Sequence, residues 1–153
     1  MGSFEMLAFS GIRPGETPEV LGILDRCGLF TGDMTPVMLK DFLVARKDGG
    51  IIGVVGLEIC RGDALLRSLA VTEVNRRMGI GLKLVQSVEQ YARSRRVETL
   101  YLLTLTAETL FRKAGYSAID RSTAPTALQA TREFKSVCPD TAVCMRKEIK
   151  HAL

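Results

Sequence analysis

Apolar positions in the first half of this chain mostly alternate or run unbroken, around two short helix-spaced stretches, whereas further along helical and strand spacing alternate. Phe4 to Phe9 alternates weakly and predicts a short edge strand, which Pro14-Gly15 ends. Thr17-Pro18 then opens a helix, with Thr17 as the expected cap and Pro18 at the first helical position. Val20, Leu21, Leu24 and Cys27 recur along it, and Gly28 is the expected stop. A second short helix is expected over Pro36 to Leu39. Phe42 to Arg46 reads as a strand, Asp48-Gly49-Gly50 as a hairpin turn, and Ile51 to Cys60 as a central strand apolar on both faces. Arg61-Gly62-Asp63 turns the chain into a further strand, Ala64 to Val71.

Beyond that point helices and strands alternate. Leu82, Val85, Val88 and Ala92, with Leu84 and Tyr91 alongside, form the apolar face of a helix; Lys83, Gln86, Glu89 and Gln90 form its polar face. Thr99 to Leu103 reads as a strand, and Ala107 to Lys113 as a helix capped at Gly115. Tyr116 to Asp120 reads as a strand, Pro125 to Phe134 as a helix, and Thr141 to Arg146 as a last strand after the Cys138-Pro139 break. The order predicts one α/β (α+β) domain over residues 1–153, with a mixed, twisted central sheet of six to seven strands flanked by helices.

Composition narrows the function classes. At 153 residues, 46% hydrophobic and 25% charged, the chain can bury a core and is not a disordered segment. The net charge of +4 is spread out, and its densest cluster, Arg93, Arg95 and Arg96, suits a solvated helix end. Without a basic stripe interleaved with aromatics, no nucleic-acid partner is expected. No apolar run reaches the length of a spanning helix, Met1 to Ser10 carries Glu5 and lacks a basic start, and Met6 spoils a myristoylation signal. A cytoplasmic protein without a membrane partner is the expectation. Cys27, Cys60, Cys138 and Cys144 lack CxxC spacing, and the first two sit in apolar surroundings as buried thiols. His151 is the sole histidine, so neither a histidine-rich metal site nor a Ser-His or Cys-His mechanism in the body of the chain is expected, and no metal is predicted.

The sharpest chemical feature is Arg76-Arg77-Met78-Gly79-Ile80-Gly81, between a strand and a helix. A helix start offers unpaired N–H groups and partial positive charge to an anion. Glycines at 79 and 81 let backbone approach a phosphate closely, and the two arginines add charge at the rim. A Walker loop is absent, and Leu84 takes the third glycine position of a dinucleotide fingerprint. What is left is R-x-x-G-x-G after a strand, a diphosphate cradle.

That form resembles the acetyl-CoA signature of the GNAT superfamily of N-acetyltransferases, and the resemblance covers most of the chain. ALLRSLAV, Ala64 to Val71, looks like the family's fourth strand, Arg76 to Gly81 like its pyrophosphate loop, and Thr99 to Thr104 like its fifth strand. The family's N-x-x-A-x-x-x-Y-x-x-x-G-F pattern falls on Thr104, Ala107, Phe111, Gly115 and Tyr116, with Thr104 replacing the asparagine and Phe111 the tyrosine. SLAV, LYLLT, TAETLFRKAGY, TREF, CP and CM look most like the N-acetyltransferases associated with arsenic resistance.

The resemblance implies acetyl-CoA as co-substrate, bound by Leu69, Ala70, Val71, Arg76, Arg77, Met78, Gly79, Ile80, Gly81, Thr104 and Phe111. It implies direct attack of an amine on the thioester without an acyl-enzyme. The family's tyrosine protonates the departing thiolate, which Phe111 cannot do. Glu58, the acid inside the central strand, is the candidate general base, and its alternative is a solvent-facing or Arg61- or Arg67-paired acid. Arg67, inside an otherwise apolar strand, is the candidate clamp for a substrate carboxylate; its alternative is an ion pair with Glu58. The expected partner is a small-molecule amine acceptor, an amino acid or amino-acid-like arsenical, and a homodimer is left open. A non-catalytic acetyl-CoA-binding regulatory module and a protein N-acetyltransferase are the competing readings.

Overall fold

The computed structural model describes residues 7–137 and 141–150. Seven strands form one mixed sheet: β1 (Leu7–Gly11), β2 (Phe42–Lys47), β3 (Gly50–Cys60), β4 (Asp63–Val71), β5 (Thr99–Thr104), β6 (Ser117–Ile119) and β7 (Val143–Glu148). Their spatial order is β1-β2-β3-β4-β5-β7-β6. Among the described residues five α-helices accompany them: α1 (Thr17–Arg26), α2 (Pro36–Leu39), α3 (Ile80–Ser94), α4 (Glu108–Lys113) and α5 (Thr126–Gln129). The first residues of the expected Phe4 to Phe9 strand lie outside the described residues, as do Cys138, Pro139 and His151. The chain divides into two compact units, one holding the described residues to Gly56 with Ser68–Val88, the other Leu57–Arg67 with those from Glu89 onward.

In the first unit β1, β2 and β3 are antiparallel neighbours, with pairs from Leu7↔Lys47 to Gly11↔Leu43 and from Phe42↔Gly56 to Lys47↔Gly50. Asp48 and Gly49 both have positive φ, 52° and 85°, as a two-residue turn matched to strand twist requires. Ile51 to Leu57 are all buried, as an unbroken apolar run in a sheet covered on both faces demands. Helix α1 places Val20, Ile23 and Leu24 against Phe42, Val44, Val54 and Leu39. Its start corrects the expected cap: Thr17 is already helical and Glu16 precedes it as the capping residue. The Glu16 carboxylate is engaged elsewhere, pairing with the buried Arg46 and accepting from the Arg13 amide at 2.7 Å. Leu84 of α3 packs on β3 at Gly53, where a Cβ would stand 2.8 Å from the leucine methyl.

In the second unit β5 is the axis. It runs parallel to β4 over Asp63↔Thr99, Ala64↔Leu100 and Leu65↔Tyr101, and antiparallel to β7 from Thr99↔Glu148 to Thr104↔Val143. Among the described residues of this unit the β4 pairs end at Leu65, while β5 continues beside β7 to Thr104. Leu65, Tyr101, Ala124, Leu128, Phe134 and Cys144 form the core. Gly115, at φ 98°, closes α4, and Tyr116 N–H donates to the Phe111 carbonyl at 2.9 Å. The expected Pro125 to Phe134 helix is instead the single turn α5 followed by a π-helical turn, Glu133–Val137. Glu89 corrects the polar face expected of α3: it is buried and bonded to Tyr116 and Lys147.

Candidate active site

The loop from β4 to α3 is built by short local bonds. Thr72 N–H donates to the Ile52 carbonyl at 2.9 Å, and a single 3₁₀ turn, Glu73–Asn75, follows. Asn75 is buried and its amide donates to Thr72 Oγ1 at 2.8 Å, which fixes the turn from beneath. Arg77 and Gly79 then take positive φ, 67° and 78°, on either side of Met78. Alternation of that kind turns successive backbone N–H groups toward one side, the arrangement that receives anions. Helix α3 begins at Ile80 and its first bond runs from Lys83 N–H to the Gly79 carbonyl at 3.1 Å, so the N–H groups of its first turn precede the helical ladder. Arg76 to Gly79 are exposed and Ile80 is buried, so the loop is anchored by one side chain and open above it.

The two arginines differ. The Arg76 guanidinium folds back, donating to the Val71 carbonyl at 2.9 Å and lying 3.5 Å from Cys27 Sγ. It lines a cavity of about 300 Å³ with Ile23, Arg26, Cys27, Thr72 and Glu73. Neither Arg76 nor Arg77 has an ion-pair partner among the described residues. Leu69, Ala70 and Val71 precede this loop in β4, directly after Ser68, whose φ of 60° is left-handed in the middle of a strand. For a residue with a side chain that backbone is costly, and such positions gather at functional sites.

Glu58 and Arg67 are brought together in the second unit. Arg67 Nη1 donates to Glu58 Oε1 at 2.6 Å, and its Nη2 lies 3.3 Å from Glu133 Oε1. The arginine side chain is 1% exposed, and those of Glu58 and Glu133 are 18% and 14% exposed. Glu133 lies on the π-helical turn; it falls within the TREF run, but neither its spacing nor its charge marks it as a site residue. Thr104 is buried at the end of β5, where its hydroxyl oxygen accepts from the Ala107 amide at 2.9 Å and steadies the entry to α4. Phe111 is buried edge-on against Tyr116, with ring centroids 5.5 Å apart. Cys60 and Cys27 are half-buried rather than buried, and burial raises the Cys60 and Cys144 thiols above their ordinary range. No group of three or more potential metal ligands occurs among the described residues. None of the helices among them is long and apolar enough to cross a membrane.

Residues 39–118, just over half of the chain, match the acetyltransferase (GNAT) domain family. The chain belongs to that family. An uncharacterised N-acetyltransferase of Chlorobaculum tepidum is 34% identical over 107 residues, 69% of this chain and 66% of that protein. The N-acetylglutamate synthase of Neisseria gonorrhoeae, solved with coenzyme A and N-acetyl-glutamate, aligns at a TM-score of 0.82 and 14% identity over 95% of this chain and 36% of its own. A Mycobacterium tuberculosis protein solved with CoA aligns at 0.77 and 18% identity over 92% of this chain and 98% of its own. The present chain thus spans about two thirds of the Chlorobaculum relative and about a third of the synthase. The seven-stranded sheet with its flanking helices is the GNAT fold.

Proposed function

We propose that this chain, as one acetyltransferase domain over residues 1–153, moves an acetyl group from acetyl-CoA to the amine of a small molecule. The observation that carries the reading is the Arg76–Gly81 loop, open, cationic and set at the start of α3, inside the stretch that matches the GNAT family. Its N–H groups and Arg77 would hold the diphosphate, with Leu69 to Val71 along the pantetheine. The acceptor amine attacks the thioester carbon; the C–N bond forms, the C–S bond breaks, and CoA leaves as a thiolate.

Glu58, a partly covered carboxylate, takes the proton that the amine loses. A free α-amine of pKa about 7.7–8.0 is roughly a tenth to a fifth neutral at pH 7, so a base need recover only about 1–1.5 kcal/mol. Positioning therefore supplies most of the rate. The thiolate, with a thiol pKa of about 8.5, is favoured for protonation by about 2 kcal/mol at pH 7. Thr106, which is exposed, or water supplies that proton in place of the missing tyrosine.

For the acceptor we propose an amino acid or an amino-acid-like arsenical, supported by the SLAV, LYLLT, TAETLFRKAGY and TREF runs, with a cytoplasmic location and no resident metal. The test is acetyl-CoA-dependent thiol release with glutamate, phosphinothricin, an arsenical amino acid, spermidine and a short peptide as acceptors. Turnover with one class supports the enzyme and names its substrate. CoA binding in calorimetry with no thiol release across the panel would favour a regulatory binding module instead.

A further inference from the structure

We infer that Glu133 is a positioning residue for Glu58, acting through the guanidinium of Arg67. The inference rests on the reading of Glu58 as the base. Arg67 is enclosed, and its two terminal nitrogens serve different carboxylates: Nη1 meets Glu58 Oε1 at 2.6 Å and Nη2 meets Glu133 Oε1 at 3.3 Å. The two-nitrogen edge of a guanidinium matches both oxygens of one carboxylate, and a buried arginine with a single acid beside it tends toward that forked pair. Glu133 occupies the second nitrogen and prevents it. Glu58 is consequently held by one oxygen only, and its Oε2 accepts no hydrogen bond among the described residues.

That asymmetry is what a base needs. One oxygen is anchored, so the carboxylate keeps its direction; the other is presented to the proton it must accept. Glu133 also stands at the first position of a π-helical turn, a rare backbone form that is frequent at functional sites.

The experiment measures steady-state kinetics of thiol release by the full chain, using the acceptor of the five-member panel with the highest turnover. It compares wild type with Glu133→Gln, Glu133→Asp, Glu58→Gln and the double variant Glu58→Gln/Glu133→Gln. For Glu133→Gln, kcat should fall about tenfold or more, part of the contribution of a general base, with the acetyl-CoA KM within about twofold of wild type. Glu133→Asp, which keeps the charge, should lie between the two. The double variant should lose no more than Glu58→Gln alone, because both act through one proton transfer. Wild-type kcat in Glu133→Gln, a loss confined to the acetyl-CoA KM, or losses that multiply in the double variant would each overturn the inference. Should Glu133→Gln fail to fold, Glu133→Asp decides: reduced kcat with unchanged acetyl-CoA KM supports it, and wild-type kcat overturns it. A wild-type chain that binds CoA without turnover removes the enzyme reading first, and this inference falls with it.

Discussion

The phenol of Tyr116 donates to Glu89 Oε2 at 2.9 Å, with both residues less than 5% exposed. Lys147 Nζ completes the group, reaching both carboxylate oxygens at 3.0 and 3.1 Å and the Ala114 carbonyl at 2.7 Å. Tyr116→Phe removes one donor from a buried carboxylate and should cost about 1–3 kcal/mol. Glu89→Ala strands Lys147 and should cost more, about 3–5 kcal/mol. Urea denaturation of the two variants checks the order, and equal losses would argue against the carboxylate as the centre of the group.

The same contact carries a pH dependence. Burial, and then the Glu89 carboxylate, push the Tyr116 phenol far above its ordinary value. An unfolded phenol ionises near pH 10. Above that pH unfolding releases a proton that the folded protein retains, so stability is intact below it and declines as pH climbs further. Thermal melts between pH 9 and 11.5 should fall for wild type and flatten in Tyr116→Phe; parallel curves would remove Tyr116 as the cause.

Gly79→Asp should weaken CoA binding at least about tenfold, since it puts a carboxylate and an L side chain at a left-handed position in the proposed diphosphate loop. No heavy atom would meet a Cβ there, so the effect lies in backbone and charge, not in a clash. Gly15 also has positive φ, 85°, and open space around it. Gly15→Asp is therefore the matched control in calorimetry. Equal affinity in both variants would take the diphosphate away from this loop.

Gly56→Ala tests packing alone. Its methyl would stand 2.3 Å from the ring of Phe42, which is fully buried and has little room to yield. A cost of about 1–3 kcal/mol is expected in chemical denaturation. A neutral result would mean that the β2–β3 pair opens more readily than the register suggests.

Arg67→Ala separates two roles for one guanidinium. A carboxylate clamp predicts a higher acceptor KM at nearly constant kcat; a holder of Glu58 predicts a lower kcat. Either way two mostly covered carboxylates lose their counter-charge, so stability should drop by about 3 kcal/mol.

Much of the frame was legible. The Asp48-Gly49 turn, the apolar run of β3 and the Gly115 stop each follow from local chemistry with few alternatives, and the structure has them in place. Glu89 was not legible, because helical spacing assigns faces by polarity and cannot see that Tyr116 and Lys147, far along the chain, bring polar partners to it. Glu133 was hidden for the same reason, since its partner Arg67 lies on a strand 66 positions earlier in the chain. Thr17 failed as a cap because Arg46 draws Glu16 into the turn before the helix. Local signals survive translation into three dimensions; long-range ion pairs leave no trace in a window of fifteen residues.

The left-handed Ser68 has a consequence for how such proteins are searched and redesigned. A motif written in letters records side chains, yet at position 68 the decisive property is a torsion angle. Serine, asparagine or glycine can supply it, each at a different energetic cost, and a β-branched residue would strain it most. A scan for strand interiors with one inverted torsion would find sites of this sort in chains whose alphabets share nothing. Substitution at position 68 then becomes a way to adjust the stiffness of β4 through a backbone torsion.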